Sequence, residues 1–199
     1  MAKKEFTGVN ITTPVCRLAY PAVFEMKPDL NGKDQYSVTM LFDKTTNDMA
    51  TLKAALLQAA KNEFGADVNL QTLDLKRIQD GDSPNSQGGE RRAECKGQWV
   101  VKAKTSIAQP GVVDSKLNKI LDPTEIYSGV YAHVNITAKA YTKPKQGVTF
   151  YLNHVQKVKD GETFAGGPKS EDVFSALDLG DDPVDLASVA TDEMDGMFN

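Results

Sequence analysis

Cysteine and histidine are scarce in this sequence. Two of each, Cys16, Cys95, His133 and His154, stand in a chain of 199 residues. No two of the four sit at the short intervals that structural zinc sites use, and two thiols make no disulfide framework. The thiols are therefore expected to pack as small buried hydrophobes in a reducing compartment. Also missing is any apolar run near the roughly 18 residues that a membrane span needs. The start, MAKKEFTGVNITTPV, has two lysines but no apolar stretch behind them. No secretory leader is expected, and a cytoplasmic location is. There is no glycine-rich phosphate loop, no G-x-S-x-G and no H-E-x-x-H. The commonest signals of phosphoryl transfer, serine hydrolysis and zinc proteolysis are thus absent. Neither an enzyme nor a cofactor nor a resident metal is expected. Lastly, Lys and Arg stop at Lys169. Residues 1–170 hold all 23 of them against 18 acids, a net of +5, while 171–199 hold nine acids and no base, −9. A basic body with a solvated acidic tail is the pattern of an interaction segment.

What the sequence does have is period two. PVCRLAYP (14–21), QYSVTMLFD (35–43), GQWVVKAKTS (97–106), IYSGVYAHVNITAKAYT (126–142) and GVTFYLNHVQKVK (147–159) alternate as half-buried strands do. TLDLKRI (72–78) is a weaker sixth candidate. Between the last two long strands KPKQG reads as a hairpin, with Lys143 and Lys145 near its tip. One segment, 46–64, has a helical period, with Met49, Leu52, Leu56, Ala60 and Phe64 on one face. Thr45 and Asp48 have the spacing of a capping box, and Gly65 offers a stop. A single amphipathic helix among strands suggests a cover on a β-barrel. The stretch 79–97 reads as a polar loop, and 164–174 as a linker. Beyond it the chain lacks the apolar content to offset its ordering entropy, so the tail is expected to be disordered.

The segment 126–142, taken as one strand, divides into two faces. Even positions from Ile126 to Ala140 are small and apolar, suited to a barrel interior. Odd positions carry Tyr127, Tyr131 and Tyr141 with His133 and Lys139 among them. Aromatic platforms between cations suit single-stranded nucleic acid, whose bases stack while lysines follow the phosphates. In 97–106, Lys102 and Lys104 share one face and Trp99, Val101 and Ala103 the other. In 147–159, Tyr151, Lys157 and Lys159 share the face opposite Phe150, Leu152 and His154. Arg91 and Arg92 on the polar loop add two cations that would clamp phosphates from the side. Each residue also has a plainer account. Tyrosine is a common strand residue, Trp99 belongs with the core, the histidines read as structural, and lysines at a hairpin tip are solvated in any protein. Asp74, Asp80 and Asp82 form an acidic group with the charge to hold Mg²⁺, and the neighbouring Lys76 and Arg77 offer a plainer account of it.

A β-rich basic body with one helix, followed by an acidic tail ending DEMDGMFN, resembles the single-stranded-DNA-binding proteins of tailed bacteriophages, most of all the short-tailed coliphage replication type. The stretches FTGVNITTPVCRLAYPAVFEMKPDLNGKDQYSVTMLF and WVVKAKTSIAQPGVVD also look like that family. Here Asn199 follows Phe198, whereas the coliphage type ends on the aromatic itself. The resemblance implies a mainly β, OB-fold-like five-stranded barrel with extra hairpins over residues 1–165 and a flexible linker and acidic tail over 166–199. It implies a helix between the second and third barrel strands, where 46–64 falls. It further implies a non-catalytic protein of phage DNA replication or recombination in the host cytoplasm. Single-stranded DNA would be held at Arg91, Arg92, Lys102, Lys104, Tyr127, Tyr131, Lys139, Tyr141 and Tyr151. Asp192, Glu193, Asp195 and Phe198 would recruit replication proteins such as a DNA polymerase, the acids meeting basic pockets and the ring supplying an anchor. Duplex DNA and a second copy of the chain are admitted as further partners. Two other classes compete: a virion or assembly protein with a scaffolding-like tail, and a metal-dependent nuclease built on Asp74, Asp80 and Asp82.

Overall fold

The computed structural model describes residues 7–164 except 47, 76, 86 and 87. The expected tail, with Asp192, Glu193, Asp195 and Phe198, lies outside the described residues. In chain order the elements are β1 (Val9–Thr12), β2 (Cys16–Pro28), β3 (Asp34–Asp43), α1 (Met49–Phe64), β4 (Ile78–Asp80), β5 (Gln98–Thr105), β6 (Gly111–Val113), β7 (Tyr131–Tyr141) and β8 (Gly147–Lys159). Five of them close a ring in the order β2, β3, β5, β8, β7. The ring is completed where Cys16 and Arg17 of β2 pair with Ala132 and Tyr131 of β7. The β5–β8 pairing is parallel and the other four are antiparallel, so the barrel is mixed. Strands β1, β4 and β6 extend it at the edges of β7, β5 and β8. No helix among the described residues is long and apolar enough to cross a membrane.

Alternation builds the interior. Val38, Met40 and Phe42 face inward from β3, Val101 and Ala103 from β5, and Ala132, Val134, Ile136 and Ala138 from β7. The small residues of β7 leave room for Phe42 and Phe150, which are fully buried. Helix α1 lies between the second and third strands of the ring in sequence and packs on β1, β7 and β8. Its buried face runs through Met49, Leu52, Leu56, Ala59 and Ala60, with Phe64 packed against the core. Cys16 and Cys95 are buried and unpaired, and burial pushes the Cys16 thiol up to about 12.

Several expectations need correction. The segment 126–142 is not one strand: β7 begins at Tyr131. Gly129 sits at φ +117°, and a side chain there would collide with the Glu162 carbonyl at 2.0 Å. The chain therefore turns at Ser128–Gly129, and Tyr127 lies on a different segment from the other two tyrosines. Strand β4 is Ile78–Asp80, beginning where the predicted 72–78 ends, while the short β1 and β6 had no alternation long enough to read. The capping box does not form. Asp43 at the end of β3 instead takes both the amide and the hydroxyl of Thr45, each at 2.8 Å, and Asp48 caps α1 without a side-chain bond.

Strand β8 breaks its own alternation twice. It is 13 residues long and pairs with the 11 of β7. Register shifts opposite Asn135/Ile136 and Tyr131/Ala132 leave Asn153 and Val158 without ladder partners. Such bulges turn consecutive side chains to one face. His154 is consequently outside rather than level with Leu152. Lys157 pairs opposite inward-facing Ala132, 12% exposed, held by Glu125 and by Asp160 at 2.8 Å. It does not share the face of Tyr151 and Lys159.

Candidate nucleic-acid interface

On the outside of β3 and β5 the register sets Ser37 beside Lys104 and Thr39 beside Lys102. These four line a groove of about 600 Å³ together with Tyr20, Arg77, Gln79 and the β2–β3 turn at Asp29–Asn31. Arg91 joins from the polar loop. Its guanidinium donates to the Gln79 Oε1 at 2.7 Å and to the Ser83 carbonyl at 2.8 Å. Partial burial and the neighbouring charges of Arg91 and Arg77 lower the pKa of Lys102. No carboxylate pairs with Lys102, Arg77 or Arg91 among the described residues. Lys104 does have one: Asp29 lies 3.6 Å away, its carboxyl held low by the amides of Lys33 and Asn31 as well as by that lysine. The three cations crowd one another in and beside a groove that Asp74 also lines, with positive charge in excess there.

One wall of the groove was not foreseen. Tyr20 adopts φ +50°, a strained conformation for a tyrosine, where β2 and β3 slip register between Ala19 and Ala22. Pro21 cannot donate to the ladder, and the resulting bulge turns Tyr20 outward, 43% exposed. Arg92 stacks over its ring at 5.0 Å, and its hydroxyl donates to Glu94. Partial burial and that carboxylate push the Tyr20 hydroxyl up to about 12. A proline inside an alternating run, at Tyr20–Pro21, was the signal available in the sequence.

The groove continues across the barrel. Lys104 pairs with Tyr151, Tyr151 with Thr137, and Thr137 with Asn10. Ser37, Lys104, Tyr151, Thr137 and Asn10 thus make one row over β3, β5, β8, β7 and β1, with strands about 4.8 Å apart. Beyond Tyr151 the row opens into a second cleft of about 490 Å³, which Lys139 also lines. Lys102 and Lys104 thus line the first groove and Tyr151 and Lys139 the second, while Arg91 and Arg92 reach the first through Gln79 and Tyr20.

The other three tyrosines expected at the site, Tyr127, Tyr131 and Tyr141, have different surroundings. Tyr127 donates its hydroxyl to Asp160 and accepts from the Gly161 amide at 3.1 Å. Lys157 and Tyr127 together hold the Asp160 carboxyl below its usual range. Tyr131 carries two cations, with Lys159 at 4.6 Å and Arg17 at 5.3 Å from the ring centre. Arg17 also covers Phe164 at 4.3 Å and donates to the carbonyls of Gly129 and Glu162. Tyr141 abuts Gly147 at the hairpin end, and burial with the nearby Asp74 raises its hydroxyl pKa. Trp99 packs on the core between Lys44 and Lys53, away from the groove.

The acidic group disperses. Asp80 and Asp82 both accept from the Lys44 ammonium, which keeps both carboxyls low. Asp74 instead bridges to Gly147, and the described residues contain no cluster of three metal-ligating side chains. His133 and His154 each bond the backbone, at Thr13 and Gly111.

The family model for the ssDNA-binding protein of Enterobacter phage Enc34 matches residues 9–184. The structure of the single-stranded DNA-binding protein from bacteriophage Enc34 in complex with ssDNA superposes with a TM-score of 0.63. It is 26% identical, over 82% of this chain and 96% of that one. A C-terminal truncation of the same phage protein gives 0.60 and 27%, over 83% and 95%. The single-stranded DNA binding protein gp2.5 of bacteriophage T7 shares the fold, at 0.52 and 18%, over 83% and 97%. Among curated proteins none matches the chain significantly.

Proposed function

This chain belongs to the phage Enc34 single-stranded-DNA-binding protein family, which is non-catalytic, and from that premise we propose that it holds ssDNA across the outer face of its barrel. One observation carries the reading: the parallel β5–β8 register sets Lys104 beside Tyr151, joining the cationic groove to an exposed ring. Phosphates sit against Arg77, Arg91, Lys102 and Lys104, and bases stack on Tyr151 and Tyr20. The solved complex of the Enc34 protein with ssDNA supports it. Titrating labelled single- and double-stranded oligonucleotides at two salt concentrations tests it. Single-strand affinity is expected to fall steeply with salt. Salt-independent binding, or none, would sink the idea.

The body ends and the tail begins near residue 165 in this reading. Phe164, the last described residue, packs on Ala19, Leu41, Cys95 and Val100 beneath Arg17. Ala19 precedes Tyr20, so Phe164 lies one residue from the groove wall. Nine acids tethered there, at an effective concentration of roughly millimolar order, compete with DNA for the cations. When DNA displaces them, Asp192, Glu193 and Asp195 meet basic surfaces on replication proteins in the host cytoplasm, and Phe198 anchors the contact. Truncation after Ser170 is expected to tighten ssDNA binding at low salt and to abolish capture of the cognate polymerase. Phe198→Ala is expected to impair capture alone. A truncated protein that binds DNA no tighter would leave the tail a docking segment only.

A further inference from the structure

The cleft beyond Tyr151 has a floor of amides whose orientations are fixed by one another. Asn135 Nδ2 donates to Asn10 Oδ1 at 3.0 Å, and Asn10 Nδ2 returns a bond to Asn135 Oδ1 at 3.1 Å. Asn153 Nδ2 donates to that same Asn135 oxygen and to Thr137 Oγ1, both at 2.9 Å. Rotating the Asn153 amide would set two oxygens face to face, so its Oδ1 is the amide atom left over, an acceptor turned to the cleft. Beside it stands His154. Its Nδ1 accepts from the Gly111 amide at 3.2 Å, so in the neutral ring Nε2 holds the proton and is a donor. In a regular strand two successive side chains point to opposite faces. Here the bulge at Asn153 brings both to the outer face, and both line the cleft with Tyr151. Ile107, 84% exposed, stands across from them on the loop that follows β5.

We infer that this cleft reads the edge of a base stacked on Tyr151, with Asn153 Oδ1 as acceptor and His154 Nε2–H as donor. That order matches cytosine, whose N4 amino group donates next to the N3 acceptor, and adenine, whose N6 amino group lies next to an acceptor nitrogen. With the ring held at the same place on Tyr151, thymine and guanine set a carbonyl oxygen against Asn153 Oδ1. Their own adjacent N–H and C=O meet the pair only after the ring shifts by an atom or turns over, so they are disfavoured. The surface thereby carries a modest preference for amino-bearing bases over thymine on top of its salt-dependent, sequence-blind attraction. The inference rests on the reading that ssDNA crosses this face.

The full chain is tested by anisotropy with equal-length dC and dT oligonucleotides at one salt concentration. These match in charge, and both bases are pyrimidines. Wild type is expected to favour dC about three- to tenfold, the range of one or two net hydrogen bonds. Asn153→Leu is expected to remove the preference by weakening dC alone, and His154→Phe to reduce it. Melting curves of each variant verify folding, and any variant that fails to fold is replaced by Asn153→Ala. Equal affinity of the wild type for dC and dT, or a preference unchanged in Asn153→Leu, overturns the inference while leaving DNA binding intact. Failure to bind either oligonucleotide overturns the underlying reading as well.

Discussion

Two parts of the barrel's outside treat positive charge in opposite ways. Along β5, Lys102, Arg77 and Arg91 crowd together and none has a carboxylate partner among the described residues. Near the start of β7, Lys157 is clamped by Glu125 and Asp160, and Arg17 is committed to two carbonyls and two rings. The second arrangement ties the end of the body to the barrel and is complete in itself. The first sets like charges side by side, which costs the fold free energy, and under the proposed function a bound phosphate would offset that cost. The contrast is one of degree: Lys104, beside the crowded three, is itself paired with Asp29, 3.6 Å away.

The comparison breaks most readily by deleting charge on each side. The double variant Arg77→Ala, Lys102→Ala is expected to weaken ssDNA binding by about 3 kcal/mol or more, at about 1.5 kcal/mol or more per charged contact. It should also reduce the slope of log affinity against log salt by about 1.4. Its melting temperature is expected to hold or rise, since like charges are removed. Lys157→Ala is expected to do the reverse, lowering the melting temperature by a few degrees with ssDNA affinity unchanged. If Lys157→Ala weakens binding as much as the double variant, the division is wrong.

Rings give the next largest contrast. Tyr151→Ala and Tyr20→Ala are each expected to cost roughly 1–3 kcal/mol of ssDNA affinity, measured by anisotropy. Tyr127→Phe removes the hydroxyl that links Asp160 to Gly161. It is expected to cost about 1 kcal/mol of stability in a urea titration and nothing in binding. Tyr127→Ala, which removes the ring as well, is expected to leave ssDNA affinity unchanged, and a loss there would return that residue to the platform.

The smallest effect is one of pH. Lys102 titrates below the ordinary lysine value, and a bound phosphate favours its charged form. Raising pH into the alkaline range therefore discharges it earlier than other lysines and weakens binding, whereas the folded protein, relieved of a crowded charge, does not lose stability from this group. Lys102→Arg, charged throughout, is expected to flatten the affinity profile on the alkaline side, below the ordinary lysine pKa of about 10.4. An identical profile in wild type and variant would remove Lys102 from the contact set.

Strand β3 was legible almost to the residue, because eight or more alternating positions leave only one way to bury Val38, Met40 and Phe42. The helix was legible from its apolar face. What escaped was non-local or contrary to alternation. Strands β1 and β6 are four and three residues long and exist only because β7 and β8 offer edges. The turn at Gly129 is forced by a carbonyl 33 residues away, at Glu162, which no local pattern records. The cations of the site were visible as residue types, and Lys102 and Lys104 as a shared face. Their gathering with Arg77 and Arg91, and the parallel register that sets Lys104 against Tyr151, needed the closed ring.

The extra length of β8 has a consequence for how this surface can change over generations. A strand that takes 13 residues to cover ground its neighbour covers in 11 carries two that no core position requires. Excising Asn153 would leave Leu152 facing in and His154 facing out, so the interior would be unaltered while the cleft lost its acceptor. Removal of any flanking residue would instead invert every side chain up to the next bulge. Length variation tolerated in this strand is accordingly expected at 153 and 158. Relatives differing there would keep the same barrel and present DNA with a different surface.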